Sequence, residues 1–218
     1  MESTITEIAP DTYRISTFHP GYKMQFNQFL VKDDEPFLMH TAFRRMFPVT
    51  HNAVARLIDP AALRWIGFSH FESDECGALN EWFRVAPRVQ AVCSFVGKTV
   101  MLDDFADREV RALADSEALD IGRHRLEFLS TPHVPHCWDA GLFFDRTART
   151  LFCSDLFFHP GDPALDHRPS ARRSSSRRAS AWRVCRPGVA KSLARDAPGG
   201  ISDAETGVVS AHLGLSVL

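Results

Sequence analysis

Polar and apolar positions alternate over residues 12–16, residues 28–31 form a short apolar run, and both predict strands; the Glu35-Pro36 turn leads into a third apolar segment at 37–39. These form an antiparallel start. A helix is expected over 51–58. The aromatic, apolar run 63–68 then has the length of a strand, and Cys76, Leu79, Trp82 and Phe83 recur beyond it at helical intervals. Residues 70–75 are therefore a strand-to-helix loop. A short strand at 91–93 and a helix over 104–113 follow. Residues 125–129 alternate as a half-buried strand does, and 141–144 and 150–153 flank a polar turn as a hairpin that delivers Asp155 at a strand end. The whole predicts an α/β (α+β) fold, a sandwich of sheets with outer helices and its polar side chains gathered on one rim.

Charge divides the chain. Residues 1–167 carry 16 Lys and Arg against 24 Asp and Glu, a net of −8, whereas 168–218 carry 9 against 3, a net of +6; together they make the net charge of −2. The run 168–178 is arginine- and serine-rich, and its composition cannot supply a core. The expected organisation is one domain over 1–166 and a basic low-complexity tail over 167–218. An anionic-surface arm is one reading of this tail, but no aromatic interleaving or groove-reading helix accompanies it, so nucleic acid is not the expected partner. A solvated, disordered tail is the second reading. The third is a reading-frame change that replaced the native C-terminal part, tested by finding an apolar, histidine-containing continuation in another frame of the coding DNA.

At 218 residues and 44% hydrophobic content the chain can bury one sizeable core. It has no apolar run of the ~18 residues that a membrane span needs, and no basic start followed by an apolar stretch. The expectation is a soluble cytoplasmic protein. Its five cysteines, Cys76, Cys93, Cys137, Cys153 and Cys185, form no C-x-x-C pair, which favours buried reduced thiols over a zinc knuckle or a disulfide framework.

Candidate chemistry concentrates in six residues: His70, Glu72, Asp74 and Glu75 in one run, then His136 and Asp155. Imidazoles and carboxylates are the ligands of divalent first-row metals, and a carboxylate-rich set favours iron or manganese over a purely zinc site. Asp74 and Glu75 also have a plain structural reading, since negative charge is favoured beside the unpaired N–H groups of a helix start. Pro132 and Pro135 restrict the loop that carries His133 and His136. His136 is the expected ligand, and His133 either an outer partner that orients one or a structural residue. Trp138 is expected in the wall or core, and Cys137 is assigned no chemistry.

The H-x-E-x-D pattern at 70–74, the segment 131–139 and the segment 151–157 together resemble the metallo-β-lactamase fold in its flavodiiron, or oxygen-binding diiron, branch. Hydrolases of that superfamily usually carry histidine at the position of Glu72, and the glutamate tips the resemblance towards the iron branch. It implies an αββα sandwich, incomplete here at the C-terminus because nothing family-like follows residue 165. One iron would sit on His70, Glu72 and His136, and Asp155 would bridge to a second iron that also uses Asp74. The family often has histidine where this chain has Glu75, and it uses a further histidine near its C-terminus. His167 and His212 are the only histidines available, and neither is given that role.

The resemblance further implies a non-haem diiron protein that binds or reduces dioxygen or a similar small oxidant. No flavodoxin-like unit or Gly-rich phosphate loop is evident, so electrons would come from a separate donor. The competing class is a zinc-dependent hydrolase, in which metal-bound water is the nucleophile. Against it, replacing imidazole by the Glu72 carboxylate weakens the Lewis acidity that hydrolysis uses. An inactive chain with an incomplete site is the third reading.

Overall fold

The computed structural model describes residues 1–157 and the strand Val208–Ser210. The run 168–178, His167, Cys185 and His212 lie outside the described residues. Seven strands form the first sheet in chain order: β1 (Ser3–Ala9), β2 (Thr12–His19), β3 (Met24–Val31), β4 (Phe37–Met39), β5 (Trp65–Gly67), β6 (Gln90–Ser94) and β7 (Arg111–Leu113). The first four are antiparallel, and β4 to β7 run parallel. The second sheet holds β8 (Ala118–Asp120), β9 (Arg125–Ser130), β10 (Gly141–Asp145) and β11 (Thr150–Phe152), all antiparallel. β12 (Val208–Ser210) extends it by pairing parallel to β11.

Period-two alternation explains how one sheet serves two cores. Phe29, Val31, Phe37, Met39, Trp65 and Val92 point towards Leu126, Phe128, Phe143 and Phe152 of the second sheet. Their neighbours Leu30, Leu38, Ile66, Ala91 and Cys93 point the other way, onto the helices. There, Ala53 and Val54 of α1 (Phe47–Ala55), Cys76 of α2 (Ser73–Cys76) and Leu79, Trp82 and Phe83 of α3 (Leu79–Val85) complete the layer. Strands β4 and β5 are buried throughout, as parallel strands covered on both faces must be. Gly67 is needed at the sheet interface, because a Cβ there would meet the Phe37 ring at 2.5 Å. Among the described residues no helix is long and apolar enough to cross a membrane.

Three elements differ from expectation. The helix expected over 51–58 is α1, which starts earlier because Pro48 suits a first helical turn and Phe47 packs edge-on against Trp82. The helix expected through 76–83 is broken after Cys76: the Ala78 N–H turns aside to donate to the Ala42 carbonyl. The helix expected over 104–113 is absent. Instead a π-helical turn (Gly97–Leu102) and the short α4 (Asp103–Phe105) precede an extended segment that becomes β7. Pairing with β6 and the Arg108 guanidinium, which donates to the Ala86 and Pro87 carbonyls at 3.0 and 2.9 Å, hold that segment extended against its helical pattern.

Candidate metal centre

Strand direction assembles the site. β4 and β5 are parallel neighbours, so His40 and His70 both issue from C-terminal strand ends on one edge of the first sheet. β9 and β11 both run antiparallel to β10, so the loop 131–140 and the turn Ser154–Phe157 leave the second sheet together. A hydrogen bond from the Gly141 N–H to the Ser69 carbonyl, 2.8 Å, joins the two sheets at this rim. Here His70, Glu72, His136, Asp155 and Glu75 converge.

His70 is fully buried. Its Nδ1 lies 2.8 Å from the Ser69 hydroxyl, while Nε2 has no hydrogen-bond partner and stands 3.6 Å from Glu72 Oε2 and 3.5 Å from Asp155 Oδ2. His136 brings Nε2 to 3.0 Å from Asp155 Oδ2 and Nδ1 to 3.6 Å from Glu72 Oε1. Donor atoms that share one ion at about 2.1 Å stand roughly 3–3.5 Å apart, so these separations suit a common cation. His70, Glu72, His136 and Cys137 offer ligand atoms all within 4.8 Å of one another, and so do His70, Glu75 and Asp155. Asp74 is buried in α2 but belongs to neither group.

The electrostatics agree. Burial pushes Asp74 up to about 6, helped by the charges of Asp155 and Glu72. Glu75 is raised well above the usual carboxylate range by burial and by Asp74, Asp155 and Glu72. Burial also raises Asp155, against the pull of His70 and His136. Burial opposes a charge on Glu72 and His70 as well, but there the facing groups win: the two imidazoles hold Glu72 low, and Glu72 and Asp155 hold His70 high. Carboxylates crowded together away from water, with an unpartnered imidazole nitrogen and the unpartnered Asp155 Oδ1 among them, make a donor set that could hold a cation.

Several residues around the site carried no role in the sequence reading. Asp139, buried, accepts the Phe71 N–H at 2.8 Å and so ties the His136 loop to the His70 loop. His40 Nδ1 meets Glu75 Oε2 at 2.5 Å, and its Nε2 lies 3.2 Å from the Ser69 hydroxyl. Ser69 Oγ in turn contacts Ser154 Oγ at 2.7 Å. The available signal for His40 was its place directly after an apolar strand, the position His70 holds relative to its own run. His40, His133, Cys137 and Ser154 all have φ between 47 and 66°, the left-handed region that non-glycine residues rarely enter. Such strain clusters where surrounding structure fixes a functional geometry.

Of the two roles expected for His133, the structural one fits: its side chain is exposed and its N–H closes the loop on the Cys137 carbonyl at 2.7 Å. Trp138 is half exposed rather than core, because its neighbours Cys137 and Asp139 take the inward positions. Beside Glu72 opens a cavity of about 530 Å³, whose wall includes Phe43, Phe71, Ser73 and Phe105.

Residues 24–167 match the family model described as ODP family beta lactamase. Among curated relatives, the flavo-diiron protein FprA2 of Clostridium acetobutylicum is 29% identical over 150 residues, covering 66% of this chain and 37% of its own length. Diflavin flavoprotein A 1 of Synechocystis is 27% identical over 135 residues, covering 61% and 23%. The chain thus spans between about a quarter and two fifths of these relatives. Among solved structures, the rubredoxin oxygen:oxidoreductase of Desulfovibrio gigas superposes with a TM-score of 0.66 at 21% identity, covering 80% of this chain and 45% of that one. The Synechocystis Flv1 flavodiiron core gives 0.64 at 20% identity, covering 74% and 44%. These likenesses establish the αββα metallo-β-lactamase-like fold. With two thirds of its length matched by the family model, the chain belongs to the ODP family of beta-lactamase-fold proteins.

Proposed function

We propose that the rim holds a non-haem diiron centre that binds or reduces dioxygen or a similar small oxidant. The single observation that carries this is His70 Nε2, buried and unpartnered, facing two carboxylate oxygens at 3.5 and 3.6 Å. A buried imidazole nitrogen without a hydrogen-bond partner beside two carboxylate oxygens is an arrangement that a shared cation would satisfy. His70, Glu72 and His136 would hold the first iron, and Asp155 and Asp74 would hold the second. The carboxylate share of this set is the reason for preferring iron to zinc. The flavo-diiron name of the clostridial relative points the same way.

Bound iron would supply electron exchange with the oxidant. The protein's own part is positional. The Ser69 contact fixes the His70 ring so that Nε2 faces inward, and Asp139 holds the two ligand loops together. His70 and Asp155 are buried, whereas about a third of the His136 and Glu72 side-chain surfaces stays open, so a small molecule reaches the centre from their side. The cavity beside Glu72 is the corresponding approach.

Electrons would come from an external donor, as the rubredoxin in the name of the D. gigas relative suggests by analogy. Zinc hydrolysis remains the alternative, disfavoured by the carboxylate at Glu72. The test is anaerobic loading with ferrous iron, then addition of oxygen and a chemical reductant. Consumption of oxygen above that of free iron supports the proposal. Ester or β-lactam turnover by the zinc-loaded protein, without oxygen chemistry, would replace it.

A further inference from the structure

The rim contains a closed ring of four side chains that the ligand set does not require. His40 Nδ1 meets Glu75 Oε2 at 2.5 Å; Ser154 Oγ lies 3.5 Å from Glu75 Oε1; Ser154 and Ser69 hydroxyls are 2.7 Å apart; and Ser69 Oγ returns to His40 Nε2 at 3.2 Å. All four residues are at least nine-tenths buried. From this ring one branch leaves, the 2.8 Å contact of Ser69 Oγ with His70 Nδ1.

The hydrogen-bond directions follow from the backbone. The Ser69 N–H points at His40 Nε2 from 3.4 Å, so that nitrogen accepts and the ring proton sits on Nδ1. His40 Nδ1 lies 2.5 Å from Glu75 Oε2, a buried imidazole–carboxylate contact. Glu75 also anchors the chain by its backbone, its carbonyl accepting the Thr41 N–H at 2.7 Å and the Thr41 hydroxyl at 3.1 Å. Glu75 is thus tied to the β4 end by both its side chain and its backbone.

We propose that His40 holds Glu75 by their close contact and withholds it from direct coordination, so that Glu75 is a positioning residue which, with His40, Ser69 and Ser154, fixes the His70 ring. This rests on the metal-site reading above and assigns a different role to the carboxylate that the sequence pattern offers as a sixth ligand. His40 holds the left-handed backbone, φ 66°, that points it into the ring. Asparagine tolerates that conformation and keeps a donor there.

The test uses the full chain, titrated anaerobically with ferrous iron and, separately, with cobalt(II), whose visible spectrum reports the inner ligands. Glu75→Gln keeps an acceptor for His40. It should bind the same number of metal ions as the unmutated protein, with affinity within about threefold and an unchanged cobalt spectrum. His40→Ala should weaken metal binding by about 10- to 100-fold, the usual cost of removing an outer partner. His40→Asn should recover most of that loss and keeps the proposal testable if the alanine variant does not fold. Loss of one metal ion or a shifted cobalt spectrum in Glu75→Gln, with the unmutated protein fully loaded, would overturn this role alone. Failure of the unmutated protein to bind metal would overturn the site reading beneath it.

Discussion

His136 Nε2 stands 3.0 Å from Asp155 Oδ2, bringing an imidazole from the proline-bounded loop after β9 against a carboxylate from the turn after β11. Nothing in the sequence separation of 19 residues requires that meeting. It follows from β9 and β11 leaving the second sheet in the same direction. His136→Ala should therefore weaken metal binding by at least the roughly 10- to 100-fold that loss of an outer partner costs. It should leave stability nearly unchanged, because the His136 side chain is about a third exposed. Anaerobic iron titration alongside urea denaturation separates the two effects.

On the proposed reading, Glu72 sets the choice of metal. Its side chain faces both His70 and His136 at 3.6 Å. Glu72→His replaces a hard carboxylate by a neutral imidazole and should move the preference from ferrous iron towards zinc. Competition between the two ions, read as metal content at equilibrium, checks it; an unchanged ratio would remove Glu72 from the ligand set.

The sheets are pinned together through Phe143, whose ring lies 5.2 Å from Phe37 and 5.3 Å from Phe128, centroid to centroid. Phe143→Ala should cost about 3–5 kcal/mol, as large-to-small changes in a packed core do. Gly67→Val fails for the opposite reason: its Cβ would meet the Phe37 ring at 2.5 Å, and overpacking typically costs about 1–3 kcal/mol. Chemical denaturation of both variants measures these losses.

Asp33 gives stability a defined acid limit. Burial works against its ionisation, but the N–H groups of His124, Arg123 and Asp34 outweigh this and hold its carboxyl below the usual aspartate range. The His124 N–H, at 2.7 Å, links the β3–β4 turn of one sheet to the β8–β9 turn of the other. A carboxyl with a depressed folded pKa stabilises above its unfolded pKa, and the contribution vanishes as pH falls through the folded value. Asp33→Asn should cost about 1–2 kcal/mol at neutral pH, and the difference from the unmutated protein should shrink below about pH 4. Unfolding free energies measured from pH 7 down to pH 3 test the slope.

The legible parts of the fold were those where one periodicity acts alone. β2, β3 and β9 form over the segments read as strands, and the β10–β11 hairpin forms from the two apolar runs that flank a polar turn. β1 gave no signal because most of its side chains are partly or fully exposed. The segment 104–113 misled because its apolar spacing suits a helix, while pairing with β6 and the Arg108 contacts to the Ala86 and Pro87 carbonyls just after α3 decide its conformation. At the rim, His70, Glu72, His136 and Asp155 were readable from donor chemistry and context. His40 and Asp139 were not, since each acts through a partner 35 or more positions away in the chain, Glu75 and Phe71 respectively.

The most direct test of the central claim is iron content per chain after anaerobic reconstitution with ferrous iron and removal of excess. About two irons per chain, lost on Glu72→Ala or His136→Ala, is the predicted result. One iron or none, or iron retained by both variants, would contradict a diiron centre at this rim.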